Sequence, residues 1–277
     1  MSISEAREAS NDRLFQPLVA RAIAAQLIQA VAFMHSCGIV HADLHKGNIL
    51  LRLSNSVDSL TPNQLYEKYG QPEIELMSRL DRQPLDQWVP PHGMLPIWFE
   101  GASDTISLAD SHIFLSDFSE SFQSTIGILL EPTPYFSFPA EIWSLACAIF
   151  AIMGQRPLFK IRFPSADRIL EGLVDKFGVF SKEWWEVLAN RHQYFDDQLR
   201  RVDGSPRRPL EQRLVDAIQK PRKQPAMAEM TEEEKQASLP DDRPSAQQIL
   251  GSSWMQTWAK PAFDSIKNNL KNWITPS

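Results

Sequence analysis

Residues 38–53, GIVHADLHKGNILLRL, place two histidines, an aspartate and a lysine between two short apolar runs. Ile39 and Val40 precede the polar residues, and residues 49–53 after them are typical of a short strand. This pattern predicts a tight loop between two short strands, with its polar side chains directed into one cleft. Because functional side chains concentrate on loops held by a rigid scaffold, the segment is the first candidate for a functional site.

Length and composition limit the class of protein. The chain has 277 residues, 43% of them hydrophobic, which is enough for one large domain or two small ones with a real core. The formal net charge is −6, the sequence isoelectric point is about 5.6, and the basic residues are scattered along the chain. These properties exclude nucleic-acid binding as a primary role.

Cysteine usage and the N-terminus bear on location. Cys37 and Cys147 both fall inside apolar helical patterns, which favours small buried side chains over a disulfide framework or a metal site. An intracellular location, cytoplasmic or nuclear, is therefore expected. Residues 1–13 are polar, and no segment approaches about 18 uninterrupted apolar residues, so we expect no membrane partner.

Changes in composition divide the chain into segments. Residues 1–16 read as an N-terminal polar segment, residues 17–260 as one folded lobe, and residues 261–277 as a C-terminal tail. Within the lobe, residues 54–112 are rich in Pro, Ser, Asp and Gln and are expected to form a surface insertion. A short helix is expected at Pro62–Tyr69 inside this insertion.

Hydrophobic periodicity predicts the main elements. From residue 17 to residue 37, apolar residues recur at three- and four-residue steps, which predicts a buried helix that ends before Gly38. Residues 142–153 are the most continuously apolar run and predict a central helix packed on all sides. A second short strand is expected within 112–118. The predicted fold class is thus mainly α with short β-strands. Further helical patterns span residues 165–176, 181–190, 209–219 and 245–258.

The opening segment also contains a spaced motif, H-x-D-L-x-x-x-N, made by His41, Asp43, Leu44 and Asn48. This is the spacing of the protein-kinase catalytic loop, in which the Asp accepts the substrate proton and the Asn binds a metal ion. A carboxylate and an amide oxygen are hard ligands of the kind that Mg²⁺ prefers beside nucleotide phosphates.

Three further motifs follow in order along the chain. Asp117 lies in the sequence SDFS, where kinases carry D-F-G, and EIWSLAC at residues 141–147 resembles the D-x-W-S-x-G start of their central helix. DRPSA at residues 242–246 resembles the R-P-S/T-A that opens a late kinase helix. On these motifs, the chain resembles the C-terminal lobe of eukaryotic protein kinases. The long insertion between Asn48 and Asp117 makes it most similar to the fungal serine/threonine kinases related to SR-protein kinases.

The resemblance implies phosphorylation of protein serine or threonine with ATP and Mg²⁺. It implies that Asp43 accepts the hydroxyl proton, and that Asn48 and Asp117 bind the metal and the cofactor. It also implies structural roles for four residues: His41, Phe118, Trp143 and Arg243. The residues alone leave alternatives, because Asp43 could serve in an Asx-turn and Asn48 could simply stabilise the loop.

The loop departs from the kinase pattern at two positions. Ala42 replaces the usual arginine, and His45 stands where kinases carry a lysine that neutralises the transferring phosphoryl group. Lys46 comes one position later. Both His45 and Lys46 are candidate catalytic residues that contact phosphate, and a solvated basic pair is the alternative. Histidine would be only partly charged at neutral pH, whereas lysine is a permanent charge.

The glycine-rich loop and ATP-pairing lysine of the kinase N-terminal lobe have no counterpart before the motif. Only 40 residues precede His41, Gly38 is the first glycine, and Lys46 is the first lysine. The N-terminal lobe is therefore expected to be absent from this chain.

Three functions remain open from the sequence. The first is a truncated serine/threonine protein kinase, and the second is a pseudokinase or kinase remnant that acts as a binding module. The third is a small-molecule phosphotransferase of the aminoglycoside or choline kinase type, whose catalytic loop has a similar pattern. The protein substrate or binding partner is not indicated by the sequence.

Overall fold

A computed structural model describes residues 1–52, 57, 59–95, 101–124, 137–159, 166–178, 185–186, 190–239 and 244–266. Most of the ordered elements are helices, and the strands are two or three residues long, which confirms the predicted fold class. The helices are α1 (Ile3–Ala9), α2 (Pro17–Ser36), α3 (Pro62–Tyr69), α4 (Phe138–Met153), α5 (Ala166–Phe177), α6 (Leu210–Leu214, a π-helical Val215–Gln219 and Lys220–Lys223), α7 (Glu232–Ala237), α8 (Ala246–Leu250) and α9 (residues 253–266, π-helical at Met255–Ala259), with a 3₁₀ turn at Arg191–Gln193.

The described strands form three separate antiparallel pairs. They are β1 (Ile39–Val40) with β6 (Phe122–Gln123), β2 (Ile49–Leu51) with β5 (Ile113–Leu115), and β3 (Ile74–Leu76) with β4 (His92–Met94). The first two pairs flank the loop of the opening motif, whereas the third lies in the insertion. None of these pairs forms a large sheet, so packing of helices provides the main core.

Helix α2 is the centre of that core. Pro17 stands in its first turn, where a proline costs no hydrogen bond, and Gly38 with φ +76° follows its end. The helix packs against α4, α8 and α9. Among the described helices it alone is long and apolar enough to cross a membrane, but 61% of its apolar window is buried inside the fold, as in a core helix.

Helix α4 is less enclosed than its sequence suggests. Ile142, Leu145 and Ile152 are buried, but Ala146 is exposed and Cys147 is only partly buried. Buried residues nevertheless lie around most of the helix, as the predicted central position requires, and exposure is limited to a few positions. Ala146 and Cys147 border a cavity that residues of the later helices also line.

The N-terminal segment is part of the folded core. A capping box between Ser2 and Glu5 starts α1, and Ile3 is completely buried. Arg7 donates hydrogen bonds to the carbonyl oxygens of Gly154 and Gln155 at 2.7 and 2.8 Å. Burial lowers the pKa of the Arg7 guanidinium to about 10. The predicted boundary at residues 16 and 17 was wrong, because a seven-residue helix is too short for periodicity to reveal.

The C-terminal boundary also needs correction. Helix α9 continues to residue 266, and Ala262, Phe263 and Ile266 are buried against the core. The first residues of the predicted 261–277 tail thus belong to the folded body, whereas residues 267–277 lie outside the described part of the chain.

The insertion divides into an exposed part and a packed part. Helix α3 has the predicted bounds, and α3, β3 and β4 contain no fully buried residue. Farther along, Ser103 is buried and its backbone N–H and hydroxyl donate to the oxygens of Ala6 and Leu14 at 2.8 Å each. Residues 101–112 therefore return to the core beside α1, and the exposed part of the insertion, as far as the structure describes it, covers residues 59–95.

Candidate active site

Two strand pairs bring the motif segments together. Ile49 in β2 pairs with Leu115 in β5, and Val40 in β1 pairs with Phe122 in β6. Ser116 lies directly after β5 and donates from its backbone N–H and its hydroxyl to Asn48 O, at 2.9 and 3.0 Å. The loop that carries Asp43 and the segment that carries Asp117 consequently meet at Asn48.

Asp43 and Asn48 are in direct contact. The Asn48 amide Nδ2 donates to Asp43 Oδ2 and to the Asp43 backbone oxygen, at 3.0 Å each. Asn48 is buried, whereas 43% of the Asp43 side chain is exposed. The buried amide thus orients an accessible carboxylate, and the amide oxygen Oδ1 of Asn48 is the atom left to face a ligand.

A buried carboxylate from α4 anchors the start of the loop. Glu141 Oε1 accepts hydrogen bonds from the backbone N–H groups of His41 at 2.7 Å and Ala42 at 3.3 Å. Its other oxygen lies 2.6 Å from Nε2 of His35, at the end of α2. Glu141 was missed as a site residue by sequence reasoning. The available signal was that Glu141 is the only charged residue in the apolar sequence of α4.

His41 is an internal support of the loop. It is completely buried, and its ring lies 4.8 Å from the ring of Phe118, centroid to centroid. His41 Nε2 donates to Ser116 O at 3.0 Å, and Nδ1 accepts from the Asp43 backbone N–H at 3.3 Å. Both ring nitrogens are therefore used, which makes His41 a positioning residue for Asp43.

Two residues of the site have left-handed backbone conformations. Ala42 has φ +67° and Asp117 has φ +62°, although neither is glycine. The hydroxyl of Ser119 donates to Asp117 Oδ1 at 2.8 Å, which leaves Oδ2 of Asp117 for another partner. Backbone conformations of this kind persist where surrounding contacts fix them, as the Glu141 contacts do at Ala42.

The two basic candidates have different surroundings. His45 Nδ1 accepts from the Gly47 N–H at 3.0 Å, and its Nε2 lies 3.5 Å from Asp43 Oδ2. A neutral imidazole protonated at Nε2 satisfies both contacts. Lys46 Nζ instead lies 3.7 Å from Glu8 on α1. Burial, followed by the nearby charge of Arg7, lowers the pKa of the Lys46 ammonium group.

The oxygen atoms at the loop suit a magnesium ion that also binds phosphate. Asn48 Oδ1 and the carboxylates of Asp43 and Asp117 are hard donors. In the described part of the chain, no group of three or more His, Cys, Asp or Glu side chains could hold a metal ion. A small set of protein oxygens is what Mg²⁺ uses when nucleotide phosphates and water complete its shell.

The remaining two residues expected to have structural roles are Trp143 and Arg243. Trp143 is partly buried, and its ring packs against Phe159 and Phe177 at centroid distances of 5.5 and 5.6 Å. Arg243 lies outside the described residues, as does Asp242 of the same motif. The two residues that follow the motif arginine, Pro244 and Ser245, are described, and Ser245 caps the start of α8.

Comparisons with known proteins find protein kinases. No protein-family model matches the chain. The serine/threonine-protein kinase RCK2 of Saccharomyces cerevisiae is 22% identical over 212 residues, covering 73% of this chain and 31% of RCK2. The serine/threonine-protein kinase AFC2 of Arabidopsis thaliana is 26% identical over 151 residues, covering 54% of this chain and 31% of AFC2. The matched regions span about a third of the length of these relatives.

A solved kinase domain has a similar fold. The crystal structure of the PF14_0431 kinase domain matches with a TM-score of 0.50 and 14% sequence identity, over 92% of this chain and 70% of that domain. At this identity the match concerns the fold alone. The chain therefore has a protein-kinase-like fold, and serine/threonine protein kinases are among its homologues.

Proposed function

We propose that the chain carries the phosphoryl-transfer site of a serine/threonine protein kinase, which moves a phosphoryl group from ATP to a protein hydroxyl. The observation that carries this proposal is the pairing of Asp43 with Asn48 on a loop whose inner side is fixed by Glu141. A half-exposed carboxylate held by a buried amide is suited to receive a substrate hydroxyl. The kinase homologues support the same assignment.

In this proposal Asp43 orients the substrate hydroxyl and accepts its proton, as in the kinase template. Asn48 fixes the carboxylate through Nδ2, so that one rotamer of Asp43 is retained. Glu141 and His41 position the loop without touching substrate. Catalysis of this kind depends mainly on positioning and on stabilisation of charge, which requires a rigid loop.

Asn48 Oδ1 and the Asp117 carboxylate are the groups that would hold Mg²⁺ together with ATP. Bound there, the cation would neutralise charge on the phosphates. The hydrogen bond from Ser116, the neighbour of Asp117, to the Asn48 backbone oxygen supports this assignment. Through the bound cation, Asn48 and Asp117 would place the ATP phosphates beside Asp43.

The identity of the lobe and of the related kinase subfamily is also a proposal. We assign the described fold to the C-terminal lobe of a kinase, the lobe that carries the catalytic loop and the D-F-G segment. The insertion that separates Asn48 from Asp117, exposed over residues 59–95, supports kinship with the fungal kinases related to SR-protein kinases. We expect the protein to act inside the cell on a protein substrate.

A pseudokinase is the second candidate, and one observation favours it. A permanent cation that could neutralise the transferring phosphoryl group is not seen beside Asp43 among the described contacts. His45 faces Asp43, while Lys46 is paired with Glu8. On this alternative the loop retains its geometry and the chain acts by binding a partner.

A phosphotransfer assay separates the two candidates. The full chain is incubated with Mg²⁺ and γ-labelled ATP, and with myelin basic protein as acceptor. Incorporation that is abolished by Asp43→Asn, and unchanged by Asp81→Asn in the exposed insertion, supports the kinase. If folded wild-type protein transfers no label at millimolar ATP, the kinase assignment of this chain fails and the pseudokinase stands. Transfer to choline or an aminoglycoside instead would favour the small-molecule phosphotransferase.

A further inference from the structure

Helix α1 contacts the loop that carries Asp43 and Asn48. The backbone N–H of Ser4, the second residue of α1, donates to Lys46 O inside that loop at 3.2 Å. The Lys46 ammonium group also faces α1, because its Nζ lies 3.7 Å from Glu8 Oε1. One side of the loop therefore lies against the N-terminal helix.

The residues just before α1 pair with the strand that follows the loop. Met1 O accepts a hydrogen bond from the Leu51 N–H at 2.9 Å, and Ser2 forms an antiparallel bridge with Leu50. This short segment lies beside β2, and a two-stranded pair such as β2–β5 is marginally stable without further support. The N-terminal residues thus hold the end of the loop at Lys46 and again at Leu51.

A buried arginine connects α1 to the end of α4. Arg7 is 4% exposed, and its guanidinium donates to Gly154 O, Gln155 O and Arg13 O at 2.7, 2.8 and 3.1 Å. Gly154 directly follows the last residue of α4. Arg7 therefore fixes α1 to the backbone at the end of that helix.

Helix α4 is thereby connected to both ends of the loop. Glu141, in its first turn, accepts from the N–H groups of His41 and Ala42, where the loop begins. Gly154, after its last turn, is bonded to Arg7 of α1, which holds the end of the loop. A loop attached at both ends to one helix has few positions open to it, as precise placement of catalytic groups requires.

We propose that α1 is a positioning element for the phosphoryl-transfer site. Ser4 and Arg7 hold the end of the loop, and with it Asn48, at a fixed place relative to α4. This inference rests on the proposed function of the site. Neither Ser4 nor Arg7 contacts substrate or ATP, and Lys46 takes part through its backbone oxygen.

Ser4→Pro tests the contact between α1 and the loop. The first N–H groups of a helix have no acceptor within the helix, so proline at this position removes the bond to Lys46 O while α1 is retained. Amide hydrogen exchange of the Leu51 N–H, followed by NMR on the full chain, should become faster by about two- to twelve-fold, the range for one neutral hydrogen bond.

Three controls isolate this contact. Ser4→Ala keeps the N–H and loses only the hydroxyl, and Asn63→Pro places proline at the second residue of the exposed helix α3. Gln219→Ala removes two buried hydrogen bonds to Met230 and is the control for a general loss of stability. None of the three should change exchange at Leu51.

Arg7→Met tests the connection to α4, since it keeps a long side chain and removes the three hydrogen bonds. It should speed exchange at Leu51, as Ser4→Pro does. Arg7→Lys retains a donor and should restore part of the protection. Arg82→Met, at an exposed arginine of the insertion, should have no effect.

The phosphotransfer assay shows whether the contact positions the site. At saturating ATP the transfer rate should fall by about ten- to a hundred-fold in Ser4→Pro, because small displacements of catalytic groups are costly, and stay within about two-fold in Gln219→Ala. If the wild-type chain transfers no label, the proposed function fails, and the exchange comparison still decides the role of α1. Leu51 exchange unchanged in both Ser4→Pro and Arg7→Met overturns the inference, as does equal transfer by Ser4→Pro and Gln219→Ala.

Discussion

The segment proposed to be catalytic, residues 38–52 and called the catalytic segment below, and the exposed insertion, residues 59–95, are neighbours in the chain but are held in place differently. The catalytic segment is fixed by contacts distant in sequence, above all by Glu141, 100 residues from His41. The insertion is ordered by local contacts within its own hairpin, and it leaves Leu80 and Trp88 exposed.

The contrast separates a segment whose position is tightly restricted from a segment whose sequence can change at little cost in stability. Long-range hydrogen bonds restrict the position of a loop relative to the whole core, which a phosphoryl-transfer site requires. A hairpin that contacts mainly itself gains order without contributing much to global stability. Changes in the first segment should therefore be costly, and changes in the second should be tolerated.

The largest effect is expected at the anchor of the catalytic segment. Glu141→Ala leaves the His41 and Ala42 N–H groups and the His35 ring without their buried partner, and should lower the unfolding free energy by about 3–5 kcal/mol. Urea denaturation followed by circular dichroism measures this value.

Two variants control this result. Glu141→Gln keeps an acceptor for the backbone N–H groups and should lose less than Glu141→Ala. Glu67→Ala, at an exposed glutamate of α3, should leave the unfolding free energy within about 0.5 kcal/mol of wild type. Equal losses for Glu141→Ala and Glu67→Ala would remove the contrast between the two regions.

A smaller effect is expected for the side chain that orients Asp43. Asn48→Ala removes two hydrogen bonds from a buried position and should lower the unfolding free energy by about 1–3 kcal/mol. The matched variant Asn63→Ala, exposed in α3, should be close to neutral. The same urea curves measure both. If Asn48→Ala were as stable as Asn63→Ala, the Asp43–Asn48 contact would not be a structural element of the loop.

The insertion should tolerate a large deletion. Ile74 and Met94 are cross-strand partners, so residues 75–93 can be replaced by an Asn-Gly turn without moving the flanking chain. We expect the unfolding free energy to change by less than about 1 kcal/mol, since loop length has a weak effect on stability. A loss of about 3 kcal/mol or more would show that the hairpin is part of the core.

The two cysteines give the smallest effects, which concern modification rates and the stability at alkaline pH. Cys37 is exposed just before the catalytic segment, whereas burial in α4 raises the pKa of the Cys147 thiol to about 11. At pH 8 Ellman's reagent should label Cys37 rapidly and the partly buried Cys147 much more slowly. The Cys147 thiol ionises from about pH 9 in the unfolded chain but only from about pH 11 in the folded chain. Its titration should therefore lower the free energy of unfolding as the pH rises from about 9 to 11. Equal labelling rates would contradict the burial of Cys147.

Sequence reasoning located elements with strong local signals. The helix expected at 17–37 is Pro17–Ser36, and the one expected at 62–69 has those bounds, because periodicity and proline positions are local properties. Helix α4 begins at Phe138, four residues before the predicted apolar run. The run did not reveal this start, because the first turn contains a proline and a glutamate. The hairpin β3–β4 was not predicted, since its three-residue strands are too short to show alternation.

For the candidate site too, local motifs could be predicted from the sequence and distant contacts could not. Asp43, His45 and Asn48 could be grouped because they share one motif, and the structure brings Asp43 and Asn48 into contact. The burial of Cys37 was predicted wrongly, because the helical pattern does not show which end of a helix reaches solvent. The anchoring role of Glu141 was missed because a lone charge in an apolar helix does not show which backbone N–H groups, 100 residues away, it contacts. Packing of distant segments decides such contacts, and one sequence does not encode them visibly.

The central claim is that Asp43, Asn48 and Asp117 act on one bound cation with ATP. Electron paramagnetic resonance of Mn²⁺, used in place of Mg²⁺ and titrated with the full chain and ATP, measures that binding directly. We predict a bound Mn²⁺·ATP signal that is lost in Asn48→Ala and in Asp117→Ala, and retained in Asp81→Asn. A bound signal that persists in both Asn48→Ala and Asp117→Ala, or no bound signal in the folded wild-type chain, would contradict the claim.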